Sequence, residues 1–234
     1  MTLDLNGFDL EGVPDVGNFD GESATVAGRA NIVVVNGTVR NGGGQGIDLG
    51  DSATNCRVDG VRARGNISTG IFVGSFSTIS NCSAVANQGN GFGIGDGCLI
   101  TNCAAAQNLS NGIAAGAGCT VTNCSTTQNA NNGIVTGPGC SLTSCLATSN
   151  SGIGIQAGGG CTLTGCSAAN NTGNGFLASG TSCTFTGCQA AFNSADGINV
   201  TGGCTVENCT ARGNTCSGQR QWRRRRQHPR PRRR

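Results

Sequence analysis

From residue 56 onward, apolar and polar positions alternate in short bursts that restart about every 21 residues, within the range of period that marks repeat architectures. With Cys119 as slot one, slots one, three, six and eight are Cys119, Val121, Cys124 and Thr126; slots sixteen and eighteen are again mostly apolar, as in Ile198 and Val200. Period-two alternation broken by Gly- and Asn-rich corners predicts short strands joined by turns, and no stretch is long or amphipathic enough for a helix. Cys-x4-Cys pairs mark the period. They begin at Cys98, Cys119, Cys140, Cys161, Cys183 and Cys204, in equal steps except that the step to Cys183 is one longer, and Cys56 and Ser77 hold the same slot upstream. A second landmark, Asn-x3-Gly followed by an apolar residue, shares this period at Asn66, Asn87, Asn108, Asn129, Asn150, Asn171 and Asn193. Two looser turns, Asn6-Gly7 and Asn36-Gly37, stand farther apart than one regular repeat.

Self-similarity at this length is the mark of a solenoid, in which equivalent residues of successive repeats stack. The expected fold class is all-β: a right-handed parallel β-helix of about nine coils of ~21 residues, three short strands per coil, rising ~4.8 Å per coil. Handedness follows from the rule for parallel crossovers. The expected organisation is a helix over 1–218, with irregular coils over 1–55 and regular repeats over 56–218, then an Arg-rich disordered tail over 219–234. A leucine-rich repeat also fits the spacing of Ile100, Cys103, Ala105 and Asn108, but that fold needs leucines and a helical return. Here the return reads as a turn plus another strand.

The units NCSTTQNANNGI (123–134) and NCSAVANQGNGF (81–92) resemble the repetitive domains of large bacterial surface and secreted proteins in the pectin-lyase-like superfamily. The resemblance covers roughly residues 2–218 and is specific for fold, not for activity. It implies an internal asparagine ladder and an extracellular or cell-surface location. The chain opens on a strand-like segment with no signal sequence or capping segment, which reads as a start inside a longer exported protein.

Composition narrows the chemistry. Glycine is 41 residues, proline 4 and tyrosine absent, with aromatics at 4%, so the core must be thin and built from small side chains. The net charge of +3 misleads: residues 1–218 carry six arginines against all twelve acids, and the other nine arginines lie in 219–234. The body is therefore acidic, and nucleic acid is a partner only if the tail is genuine. Arg/Pro-rich text of that kind also arises when GC-rich DNA is read out of frame, and the tail reads as a frameshifted or truncated end. It holds the lone Trp222 and His228. No apolar run approaches the ~18 residues of a membrane span.

Two candidate ladders and one charged patch remain. Cys82, Cys103, Cys124, Cys145, Cys166, Cys188 and Cys209 stack one above the next. Their spacing suits neither a zinc site nor an unstrained disulfide, so they read as small, soft core residues whose redox state the sequence leaves open. Asn66, Asn87, Asn108, Asn129, Asn150, Asn171 and Asn193 read as a structural amide ladder. The mixed patch of Asp48, Asp51 and Asp59 with Arg57, Arg62 and Arg64 divides by slot among three strands and does not converge on one groove. Without converging carboxylates or an aromatic sugar platform, no catalytic residue, cofactor or metal is assigned. Outward Thr-x-Thr pairs such as Thr120/Thr122 are similar to the ice-binding arrays of insect antifreeze β-helices, but Leu99 interrupts the row. The expected function is a non-catalytic scaffold or adhesive segment contacting polysaccharide. The alternatives are an incomplete or inactive polysaccharide lyase or glycoside hydrolase, and an ice-binding protein. Open strand edges at the two ends predict end-to-end self-association.

Overall fold

The computed structural model describes residues 1–12 and 29–215, so the tail over 219–234 lies outside the described residues. Each regular coil has three three-residue strands, as in Thr120–Thr122, Ser125–Thr127 and Ile134–Thr136. Equivalent strands of successive coils pair in parallel: Thr120 opposite Ser141, Ser125 opposite Leu146, Ile134 opposite Ile155. The first and second strands of every coil belong to one 18-stranded sheet, because the eight-residue strands Val33–Arg40 and Arg57–Arg64 run through the corner between them. The third strands form an 8-stranded sheet. Among the described residues there is no helix, and about nine coils stack into one solenoid.

Two corners of each coil are made by single residues in the left-handed region, such as Asn123 (φ 53) and Gln128 (φ 54). Asparagine tolerates that conformation; glutamine, Ala86 and Phe192 hold it only because the stacked neighbours demand it. The one 22-residue repeat places its extra residue in the turn between the strand Phe176–Ala178 and Cys183, so register resumes at Thr162 opposite Thr184.

The core is one column of side chains per inward slot. Ile79, Ile100, Val121, Leu142, Leu163 and Phe185 are wholly buried along the first strands, and small residues such as Ala84 and Ala105 along the second. The alternation of large and small columns keeps the coil narrow and explains the low aromatic content. Where the column widens, Phe176 and Phe185 meet edge to face with centroids 5.9 Å apart.

Candidate functional site

The asparagine row is a continuous chain of hydrogen bonds. Asn129 donates Nδ2–H to Asn150 Oδ1 (2.9 Å) and to the Ala105 carbonyl (3.2 Å), and its Oδ1 accepts from Asn108 Nδ2 (2.9 Å) and Asn108 N (3.1 Å). Every polar valence of the amide is used, which is what burial requires. The same geometry links Asn66 to Asn87 and continues through Asn171 and Asn193 to Asn214. The paired glycine has a steric cause: a Cβ on Gly133 would lie 2.6 Å from the Gly154 carbonyl and 2.8 Å from Asn150 Nδ2. Asn-x3-Gly is thus one device spread over two coils.

The thiols do more than fill space. Cys119 N donates to Cys140 Sγ (3.3 Å), and that thiol donates in turn to the Gly116 carbonyl (3.2 Å). Ser77 shows what the corner needs, because its hydroxyl accepts from Cys56 N (3.1 Å) and donates to the Ser75 carbonyl (3.3 Å). At seven such corners, Cys183 with Cys204 and Cys188 with Cys209 among them, a backbone amide is satisfied by a side chain one coil along. Along one row, thiols of successive coils shift one another's ionisation, as Cys103 does to Cys82 and Cys166 to Cys188. A second row runs Cys98, Cys119, Cys140 and Cys161, with Cys183 and Cys204 beyond it. Cys103, held between the thiols of Cys124 and Cys82, is kept protonated; the neighbouring Cys166 thiol pushes Cys188 up to about 11.

Among the described residues, the ion pairs lie in the N-terminal coils and separate by face. On the first, Arg57 Nη2 pairs with Asp59 Oδ2 (2.6 Å), while Asp59 Oδ1 accepts from Ser80 Oγ (2.8 Å) and Asn81 Nδ2 (2.9 Å). These donors, Ser80 foremost, hold the Asp59 carboxyl below its usual value. A carboxylate so saturated is a poor proton acceptor. Asp48 corrects the sequence expectation of a surface patch: it is buried, with Oδ1 accepting from Gly50 N (2.7 Å) and Oδ2 from Gln45 Nε2 (3.2 Å), so it ties down its own turn.

Arg62 and Arg64 project from the second face into a shallow groove of about 650 Å³ lined also by Asp9, Thr38, Arg40 and Ser83. Arg40 is committed to Asp9 (3.0 Å) and Glu11 (2.9 Å). Among the described residues, neither Arg62 nor Arg64 has a carboxylate within ion-pair distance. Sequence reasoning missed Arg40 with Asp9 and Glu11, because these coils are offset by a longer step than the regular repeat, with Asp9 opposite Thr38. No group of three or more His, Cys, Asp or Glu could hold a metal ion among the described residues.

A family model described as the right handed beta helix region matches residues 95–227, more than half of the chain. This chain belongs to the right-handed β-helix family. It is similar to the mannuronan C-5 epimerase AlgE4 A-module of Azotobacter vinelandii at 16% identity, with a TM-score of 0.62 over 81% of this chain and 65% of that one. A double mutant of the periplasmic alginate epimerase AlgG matches at 14% identity and TM-score 0.62 over 80% of this chain and 51% of that one. The Dettilon tailspike protein matches at 14% identity and TM-score 0.60 over 92% and 52%. The β-helix thus spans less than two thirds of each of these proteins. Among curated proteins no sequence matches.

Beyond the charged coils, the first face of the β-helix is a polar, uncharged strip. Ser80, Thr101, Thr122, Thr143, Thr164 and Thr186 follow one another in register. Leu99 interrupts only the parallel column, which resumes at Thr120 and continues through Ser141 and Thr162. Outer amides run beside it, with Asn102 Nδ2 donating to Asn81 Oδ1 (3.4 Å).

Proposed function

We propose that this β-helix is a non-catalytic, polysaccharide-contacting rod of an exported protein, gripping acidic polymer through Arg62 and Arg64. The observation that carries the reading is the partition of charge. Residues 65–206 contain two carboxylates, Asp96 and Asp196, and no Arg, Lys, His or Tyr. Acid–base cleavage of a glycosidic bond uses two carboxyl groups about 5–9.5 Å apart. Asp96 and Asp196 lie nearly five coils apart, or about 23 Å at the coil rise. Of the acids in the N-terminal coils, Asp59 is tied to three donors, and Asp9 and Glu11 are tied to Arg40. Two guanidinium groups in a groove, each offering a planar fork of donors, suit carboxylates along a polymer. Mannuronan and alginate, which appear in the names of two proteins of similar fold, are the first polymers to test.

A glycan array with parallel turnover assays on polyuronates, with and without Ca²⁺, tests the reading. The expected result is retention of acidic glycans without product, weakened at least tenfold by Arg62→Glu with Arg64→Glu and unchanged by Thr122→Lys with Thr143→Lys. Turnover by the wild-type chain overturns the non-catalytic assignment. Silence across the array overturns the polysaccharide contact.

A further inference from the structure

We propose that Arg212, held by the Phe192 ring at the far end of the second face, is a second anchor for the acidic polymer. The polymer then lies along the rod axis, and only long chains engage both ends. The inference rests on the polysaccharide reading above and extends it from a local grip to a track of defined length.

Register places the two ends on one line. Arg64 lies opposite Val85, and the same outward column continues coil by coil through Thr127 and Ala169 to Ala191 and Arg212. Seven parallel steps separate Arg64 from Arg212, or roughly 34 Å at the coil rise. The strands of this face between them carry no charge, and the two carboxylates of that length, Asp96 and Asp196, lie outside the strands. Small hydroxyl residues such as Ser125 and Thr148 recur along the floor, where they can meet sugar hydroxyls. Amides line both corners: Asn123 Nδ2 donates to Asn102 Oδ1 (3.5 Å) on one side, and Gln107 Nε2 to Gln128 Oε1 (3.5 Å) on the other. The groove of Arg62 and Arg64 already includes Ser83 and Val85, where this floor begins.

The far end is built around a strained residue. Phe192 has φ 55 and is 56% exposed, at a corner where the neighbouring coils hold Asn170 and Gly213. A bulky side chain in the left-handed region is strained, and so exposed a ring gains little packing to offset it. The ring does position Arg212, whose guanidinium carbon lies 5.6 Å from its centroid. Gly213 leaves room for the ring edge, since a Cβ there would lie 2.5 Å from Phe192 Cδ1. Arg40 and Arg57 are instead held by carboxylates, which neutralise them. An aromatic face orients a guanidinium and leaves its charge and its fork of N–H donors for a carboxylate of the polymer. Among the described residues, Arg212 has no carboxylate within ion-pair distance.

The required length follows. An extended 1,4-linked uronate chain advances by about one coil rise per sugar, so roughly eight consecutive sugars bridge Arg64 and Arg212. Once one end is gripped, the second contact is intramolecular and raises affinity without altering either contact.

The test is calorimetric titration of the full-length chain with mannuronan tetramers and dodecamers. The dodecamer should bind at least tenfold more tightly than the tetramer. Arg212→Gln should abolish that gain and leave tetramer affinity unchanged, whereas Arg62→Glu with Arg64→Glu should weaken both. The arginines of 219–234 are common to wild type and Arg212→Gln, so their contribution cancels in the comparison. Phe192→Asn separates positioning from folding: it should raise Tm, because asparagine tolerates the corner, and yet lower dodecamer affinity. A gain that survives Arg212→Gln, or dodecamer affinity untouched by Phe192→Asn, overturns the second anchor and leaves the N-terminal grip standing. Failure of both oligomers to bind overturns the polysaccharide reading itself, and the track with it.

Discussion

Before about residue 65, neighbouring coils are joined at the surface by charged side chains: Arg40 with Asp9 and Glu11, and Asp59 with Ser80 and Asn81. After it, they are joined in the interior by neutral groups repeated at each rung, the Asn129–Asn150 amides and the Cys119–Cys140 corner among them. Exposed ion pairs contribute little, because solvent screens them and long side chains lose entropy in forming them. A buried amide with all its valences met contributes more, and leaving its partners unmet costs more still. The two lengths of one helix thus teach that regularity and chemistry trade places. The regular coils gain stability from identical groups stacked on identical groups, which leaves no room for a varied constellation of side chains. The irregular coils give up that stacking and hold Arg62 and Arg64, which have no ion pair among the described residues.

Four substitutions sharpen or break this contrast, in descending order of effect. Asn129→Ala removes the acceptor of Asn108 N and of one Asn108 Nδ2 N–H, and a donor to the Ala105 carbonyl, and should destabilise by about 3–5 kcal/mol in urea unfolding. Gly133→Ala drives a Cβ into the next coil, whereas Gly118→Ala meets nothing within 4 Å and bears only the cost of a positive φ of 65°. The expected losses are about 2–4 kcal/mol for the first and about 1 kcal/mol for the second; equal values would refute the two-coil account of Asn-x3-Gly. Cys140→Ala strips the acceptor from Cys119 N and should cost about 2 kcal/mol. Cys140→Ser should cost less than half of that, following the precedent of Ser77; if serine were no better than alanine, the thiols would be packing alone.

The smallest effect lies in the charged coils and depends on pH. Asp59 has a folded pKa below its ordinary 3.8, so its contribution is fully present above that value and is lost as the pH falls through the lower, folded one. Asp59→Asn should flatten that loss in acid unfolding curves while changing stability at pH 7 little. An equally steep acid loss in Asp59→Asn would assign the effect to other carboxylates.

Much of this was legible in the sequence, and for a physical reason. A 21-residue period forces equivalent residues into contact, so the Asn66–Asn193 row and the inward columns follow from counting. Hydrogen bonding by the thiols was not legible, because alternation reports burial and says nothing of the corner amides that miss the strand ladder. Nor did counting reveal Arg40 with Asp9 and Glu11, since turns of unequal length shift the register between Asp4 opposite Val35 and Asp9 opposite Thr38. Asp48 follows strict alternation outward from Ile47, yet its own turn covers it.

Native-state hydrogen exchange tests the stacked-ladder claim most directly. In the wild-type chain the Asn87, Asn108 and Asn129 backbone amides, each donated to the side-chain oxygen of the next coil, should be among the most protected sites in the molecule. Asn129→Ala should collapse protection selectively at the Asn108 amide, its donor one coil earlier, and leave distant coils such as that of Asn66 unchanged. Unaltered exchange at Asn108 would contradict the account.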